Sequence, residues 1–290
     1  MITLTRGPLR LVLDPSLGGA IRHFTWRDRD VMRPTPAGTS HPIETASFPL
    51  VPYCNRIGNG VFAFDGRTVR LSRNWENDAH PLHGQGWLLP WQVLSATTDS
   101  AALRFEHEPD EWPWHYLAEQ TFVLSDSGAR LGLSITNTDT RVMPAGLGFH
   151  PAFPAPPDAR LHADVIGVWL IDASVLPTEQ VPAPQIFDTS GEPPVAAGAG
   201  IDHCFTGWNR KAYLTLPSSG MRLALSASEQ MRWFHLYIPR GRSFFCAEPV
   251  TQMPDPFRQP RLEQTGIVQL APGETLTVWM AVDVEPLELG

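Results

Sequence analysis

The residues best suited to acid–base chemistry are a histidine and a glutamate that lie far apart in the chain. His150 follows a glycine-flanked turn and precedes Pro151, whose rigid ring fixes the local direction of the backbone. Glu248 follows residues 244–247, an apolar stretch typical of a buried strand. A carboxylate beside an apolar wall loses hydration, which raises its pKa toward that of a useful base. Histidine titrates near neutral pH, so this pair is suited to proton transfer.

Five short motifs contain these two residues and other polar side chains. In chain order they are residues 55–60, 80–87, 148–153, 201–205 and 245–251. At these motifs the sequence resembles the aldose 1-epimerase (galactose mutarotase) family, in the family's order and at similar spacing. Weaker similarity covers nearly the whole chain. The resemblance implies a β-supersandwich with a cleft across one concave sheet, no cofactor, and interconversion of the α and β anomers of a free aldose.

The resemblance also implies a role for each matching residue. His150 becomes the general acid and Glu248 the general base. His83 matches the histidine of the family's His-Gly motif, which holds and polarises the sugar. Arg56 matches the arginine of the Asn-Arg motif, and Asp202 matches an acidic substrate-binding position.

Two departures from the family pattern concern the sugar rather than the chemistry. Ala152 stands where the family usually has a bulky aromatic residue, and Gln85 stands where a second glycine often follows the His-Gly pair. His80 is a further candidate for sugar contact. Trp75 and Trp87 lie on either side of the histidine loop, where they would either stack on a sugar or pack in the core.

Anomer interconversion needs only an acid and a base. A proton leaves the O1 hydroxyl while another reaches the ring oxygen O5, the ring opens, and closure after rotation gives the other anomer. In this assignment Glu248 is ionised and His150 protonated in the same enzyme form. This predicts a bell-shaped pH dependence of kcat/KM, with the lower limb from Glu248 and the upper limb from His150.

Several other functions compete with this interpretation. A non-catalytic carbohydrate-binding protein would not need both His150 and Glu248. A glycosidase would need two carboxylates, for which only Glu248 and Asp202 are candidates, and it would leave the histidine without a role. An epimerase for a phosphorylated or sulfonated sugar would need extra cations, which Arg240 and Arg242 could supply.

Metal binding by the histidines is the remaining alternative. His80 and His83, together with His150 or His203, are possible ligands. Pro81 separates the first two histidines and fits neither a helix nor a strand that would fix their geometry. We therefore expect no metal and no cofactor.

The elements that must position these residues are strands. Apolar residues alternate with polar ones around 131–135 and 276–284, and Asp65-Gly66 is a hairpin signal. Proline-rich residues 151–158 and 177–194 are expected to be long loops. The pattern predicts an all-β protein, a large β-sandwich of the galactose mutarotase type, with a single domain over residues 1–290.

Composition excludes some partners. The net charge of −8 argues against a nucleic-acid surface, and no apolar run is long enough to cross a membrane. Three cysteines without paired spacing, and an N-terminus without an apolar signal segment, favour the cytoplasm. The expected partner is a small sugar, bound by a monomer or homodimer.

Overall fold

The computed structural model describes residues 1–287, and strands form nearly all of the regular structure. The strands are β1 (Ile2–Arg6), β2 (Leu9–Asp14), β3 (Ala20–Trp26), β4 (Arg29–Asp30), β5 (Pro49–Leu50), β6 (Val61–Phe64), β7 (Arg67–Arg70), β8 (Gln92–Ala96), β9 (Ser100–His107), β10 (Tyr116–Leu124), β11 (Gly128–Asn137), β12 (Met143–Ala145), β13 (Gly148–Phe149), β14 (Ala152–Pro154), β15 (Arg160–Ala163), β16 (Gly167–Ile171), β17 (Pro177–Pro182), β18 (Ile201–Thr206), β19 (Lys211–Leu216), β20 (Met221–Ala227), β21 (Trp233–Ile238), β22 (Phe244–Val250), β23 (Val268–Leu270) and β24 (Thr275–Pro286). Short 3₁₀ helices occupy Pro42–Glu44, Gly58–Gly60, Ala183–Gln185, Val195–Gly198, Pro217–Ser219, Pro256–Arg258 and Leu262–Gln264. No described helix has the length and apolar character needed to cross a membrane. The predicted all-β class is confirmed.

Two large antiparallel sheets dominate the architecture. One has the strand order β15-β19-β20-β24-β11-β10-β9-β8. The other has the order β17-β16-β18-β21-β22-β13-β5, with β14 also paired to β22. A four-stranded sheet (β1–β4) and the pairs β6-β7 and β12-β23 complete the strands. A large cluster of buried apolar side chains extends along the sequence from Leu4 to Val284.

The alternating pattern found in the sequence marks the buried face of the first sheet. Leu131, Leu133 and Ile135 on β11 are buried, and so are Val278 and Met280 on the neighbouring β24. Successive side chains of a strand point to opposite faces, so each set packs on one side of the sheet. Full burial of such a side chain contributes about 1.5–3 kcal/mol to folding.

The predicted hairpin at Asp65-Gly66 is also confirmed. Both residues have positive φ angles, 47° and 70°, between the paired strands β6 and β7. A two-residue turn of this kind needs two such residues, and glycine adopts the conformation without a steric penalty.

The proline-rich segments are not simply loops, so that prediction was partly wrong. Residues Ala152–Pro154 form β14, which pairs with β22, and Pro177–Pro182 form β17 at the edge of the second sheet. A strand with an unpaired side needs fewer N–H donors, which explains why it accommodates proline.

The second sheet brings several of the candidate site residues together. In its register Asp202 of β18 lies opposite Tyr237 of β21, and His235 of β21 lies opposite Glu248 of β22. On the other side of β22, Gly148 of β13 pairs with Val250, and His150 follows directly after β13. The predicted single-domain organisation of residues 1–290 stays a prediction.

Candidate active site

A cavity of about 880 Å³ gathers most of the residues singled out in the sequence. Its lining includes His83, His150, Glu248, Arg56 and Asp202. These five residues come from the five separate motifs, so the fold brings segments that are distant along the chain into one cluster. The motif at residues 55–60 supplies the arginine, and the motif at 80–87 supplies the histidine beside it.

The catalytic candidates are in direct contact. His150 Nε2 lies 3.3 Å from Glu248 Oε1, and both side chains are largely buried. Phe48 stacks on the His150 ring at a centroid distance of 4.3 Å, and the backbone N–H of His150 donates to the Phe48 carbonyl. Gly148 lets β13 lie close to β22, because a Cβ there would lie 2.8 Å from a Val250 methyl group.

Burial moves the two pKa values of this pair in opposite directions. It raises the pKa of Glu248 to about 8, against an ordinary value of 4.5. It also lowers the pKa of His150 to about 3, with a further lowering from the Arg33 guanidinium. Without sugar, these directions favour a protonated Glu248 beside a neutral His150 at neutral pH. The acid and base roles inferred from the sequence also require one proton in the pair, but they place it on His150 rather than on Glu248.

His235 is a site residue that sequence reasoning missed. It is 4% exposed on β21, and its Nε2 donates to Asp202 Oδ1 over 2.7 Å. Burial alone lowers the pKa of His235, but the net shift is upward, and the hydrogen bond to Asp202 is the largest cause that raises it. Its Nδ1 is buried and has no partner among the described residues. No local motif marks His235; only the alternation of β21, which buries Phe234 and Leu236 on the other face, could have suggested it.

Asp202 connects the histidine to an arginine. Arg56 donates through Nη2 to Asp202 Oδ2 over 3.3 Å and through Nε to Asp78 Oδ2 over 2.9 Å. Burial would raise the pKa of Asp202, but the hydrogen bond from His235 and the charges of His235 and Arg56 hold it at about 2. Asp78 was also missed from the sequence, because nothing in its own segment points to Arg56.

The loop at residues 80–87 holds His83 in a defined tautomer. The backbone N–H of Asn55 donates to His83 Nδ1 over 3.0 Å. Burial, followed by the charge of His150, lowers the pKa of His83 well below its usual value. A neutral imidazole whose Nδ1 accepts carries its proton on Nε2. His83 is therefore a hydrogen-bond donor at the cavity, and its ring meets that of His150 edge-to-face at 5.4 Å.

Two predicted contact residues lie behind the cavity wall, outside its lining. His80 Nδ1 accepts from the backbone N–H of Asn59 over 3.1 Å, and its own backbone N–H donates to Asp78. Trp87 is fully buried, stacks on Phe48, and donates its indole N–H to loop carbonyls. Their polar atoms stabilise the two segments that carry His83 and Arg56. Trp75, by contrast, does line the cavity.

An epimerase for an anionic sugar was expected to use Arg240 and Arg242 as extra cations, so their positions test that alternative. Arg242 lines the cavity, whereas Arg240 does not and lies instead against Gly200. The cavity lining contains five carboxylates, from Asp30, Glu44, Asp78, Asp202 and Glu248, and three guanidinium groups, from Arg33, Arg56 and Arg242. This balance does not favour a negatively charged substituent.

The histidines considered as metal ligands do not converge. Within residues 1–287, His80, His83 and His203 belong to no group of three close donors. The group that meets this condition consists of His150, Cys246 and Glu248.

Comparison with known proteins agrees with this geometry. A family model described as "Aldose 1-epimerase" matches residues 1–283. The "Uncharacterized protein YphB" of Escherichia coli (strain K12) is 33% identical over 98% of each chain. A crystal structure described as a "Putative aldose 1-epimerase" from Escherichia coli K12 superposes with a TM-score of 0.91 at 33% identity, over 99% of each chain. A galactose mutarotase-like protein from Clostridium acetobutylicum has a TM-score of 0.85 at 18% identity, over 98% of this chain and 95% of that chain. These likenesses confirm the predicted type of β-sandwich.

Proposed function

Because the chain belongs to the aldose 1-epimerase family, we propose that it interconverts the α and β anomers of a free, neutral aldose. The observation that carries this proposal is the contact of 3.3 Å between His150 Nε2 and Glu248 Oε1 inside a cavity large enough for a sugar. A non-catalytic binding protein has no use for a buried pair that shares one proton. The expected cytoplasmic location and the monomer or homodimer remain predictions.

In the proposed reaction Glu248 is the base and His150 is the acid. Glu248 accepts the proton of the O1 hydroxyl, and His150 donates a proton to O5 as the bond between C1 and O5 breaks. The open aldehyde rotates about the bond between C1 and C2, and ring closure reverses both transfers. Arg56, His83, Asp202 and His235 would hold the sugar hydroxyls.

Sugar binding supplies a reason for the proton to move from Glu248 to His150. Without sugar, burial favours the protonated glutamate. A sugar O1 hydroxyl that donates to Glu248 stabilises the carboxylate, and a ring oxygen that accepts from His150 stabilises the imidazolium. The charge of His235, opposite Glu248 in the sheet, also lowers the pKa of that glutamate. The occupied site therefore favours the working form more than the empty site does.

The test is the rate of mutarotation of freshly dissolved α-aldoses, followed by polarimetry or NMR. Each positioned acid or base contributes about 10²–10⁴-fold, so Glu248→Gln and His150→Asn should each lose at least about a hundredfold in kcat. The double variant should lose less than the product of the two, because the residues act as a unit. A correctly folded single variant that keeps more than about a tenth of the wild-type kcat would refute the assignment.

A further inference from the structure

A thiol lies beside the acid–base pair. Cys246 precedes Glu248 by two residues on β22, so both side chains project from the same face of the sheet. His150 Nε2, Cys246 Sγ and a Glu248 carboxylate oxygen all lie within 4.8 Å of one another. The three residues line the same cavity, so a small ion has access to all three donors.

The chemistry of these donors is that of a zinc site. Imidazole nitrogen, thiolate sulfur and carboxylate oxygen all bind Zn²⁺ at about 2.0–2.3 Å. Tetrahedral geometry then separates neighbouring donors by about 3.4 Å. His150 and Glu248 are already 3.3 Å apart, so side-chain adjustments of about 1 Å would complete the triangle around a zinc ion. The sulfur selects against Mg²⁺ and Ca²⁺, which prefer oxygen ligands.

Closed structural zinc sites have four protein ligands, whereas three protein ligands leave one position open. Water would fill that position, and an ion held by all three ligands would exclude the sugar from the acid–base pair.

We propose that a thiophilic divalent cation, with Zn²⁺ as the reference ion, binds His150, Cys246 and Glu248 and inhibits the enzyme. Metal ligands must be deprotonated, so the thiol proton and the shared proton of the pair pass to solvent. The ion then occupies the imidazole lone pair and the carboxylate together, and neither group can carry a proton for the sugar. The binding step stands on the donor geometry alone, whereas the inhibition rests on the proposed function.

Binding is tested with Co²⁺, because a thiolate bound to cobalt gives a charge-transfer absorption in the near ultraviolet. The full-length protein is titrated with Co²⁺ beside two serine variants. Cys246→Ser removes the sulfur donor. Cys204→Ser is the matched control, since Cys204 is also buried, on β18 of the same sheet, but lies outside the donor group. Cys246→Ala is a second variant if the serine protein does not fold, as judged by a thermal melt.

We expect a saturable band at one ion per chain in wild type and in Cys204→Ser, displaced by Zn²⁺. It should be absent from the Cys246 variants and weakened in His150→Asn. Residues that only hydrogen-bond to the ligands of a metal contribute about 10–100-fold to its affinity. Loss of the sulfur, a direct ligand, should therefore weaken Zn²⁺ binding at least about a hundredfold. No band in wild type, or a band that persists without Cys246, overturns the site.

Inhibition is tested by mutarotation rates with added Zn²⁺, each variant normalised to its own rate without metal. Zn²⁺ should compete with the sugar, EDTA should restore the rate, and equal Mg²⁺ or Ca²⁺ should have no effect. The Cys246 variants should need at least about a hundredfold more Zn²⁺ for the same inhibition. A cobalt band without loss of rate refutes the inhibition but not the epimerase. Conversely, absence of activity on every aldose refutes the epimerase, while the band still decides the metal site.

Discussion

Replacing Glu248 by glutamine should stabilise the sugar-free protein, and more so as the pH rises. Burial raises the pKa of Glu248 from 4.5 to about 8. The folded state therefore binds this proton more tightly than the unfolded state does. Its contribution to stability is complete below the unfolded pKa and is lost as the pH rises through the folded pKa. Glutamine resembles the protonated carboxyl group in size and does not titrate, so the variant avoids this loss.

The magnitude follows from the two pKa values. Each tenfold change in proton affinity corresponds to about 1.4 kcal/mol. The free energy of unfolding of Glu248→Gln should exceed that of wild type by less than about 1 kcal/mol at pH 5, by about 3 kcal/mol at pH 7, and by about 5 kcal/mol at pH 9. Because the pKa of His150 is lowered to about 3, this residue reduces the free energy of unfolding only as the pH falls. It does so equally in both proteins, so the difference between them is unaffected.

The assay is urea unfolding of both proteins at pH 5, 7 and 9, without sugar or metal. Glu229→Gln, at an exposed glutamate, serves as the control and should follow wild type at every pH. A Glu248→Gln protein that is destabilised relative to wild type at pH 9 would mean that the folded, sugar-free protein favours the ionised form of Glu248. The reasoning from burial would then be refuted.

Three further outcomes are expected. First, kcat/KM should show a bell-shaped pH dependence, with the upper limb near pH 8 where the pair loses its one proton; a rate that stays level up to pH 10 would contradict this. Second, Arg56→Ala and Asp202→Ala should each lower kcat/KM about ten- to hundredfold, as expected for hydrogen bonds to charged groups. Asp202→Ala should also lower the melting temperature, because it leaves both Arg56 and His235 without that partner; wild-type kinetics would remove these residues from the site. Third, activity should survive dialysis against EDTA, and a loss restored by one divalent ion would make the metal a cofactor.

Local sequence signals were sufficient for much of the fold and for the chemically distinctive residues. The alternation in β11 and β24 follows from burying one face of a strand, so it is visible without the partner strands. The Asp65-Gly66 turn is similarly local. His150 and Glu248 were recognisable because glycine, proline and apolar neighbours constrain their surroundings directly.

The residues that were missed owe their roles to contacts across the sheet. His235 lies among apolar neighbours of β21 and becomes part of the site only because the register places it opposite Glu248 and within reach of Asp202. Asp78 acts through Arg56, which is distant in sequence. The prolines of β17 were misinterpreted because a strand at the edge of a sheet cannot be distinguished from a loop without knowing its neighbours.

The placement of the shared proton is also beyond sequence reasoning, because it depends on how completely the pair is buried. The sequence-based interpretation gave the lower pH limb to Glu248 and the upper limb to His150, whereas the pKa values in the empty cavity have the opposite order. Both descriptions contain one proton, so they describe two forms of the same pair rather than two mechanisms. Burial favours the uncharged form, while His235 and hydrogen bonds from the sugar favour the charged form. Without sugar, the pair avoids two buried charges, which favours a stable fold. The pair acquires those charges only when the sugar can stabilise them, which gives a reactive acid and base.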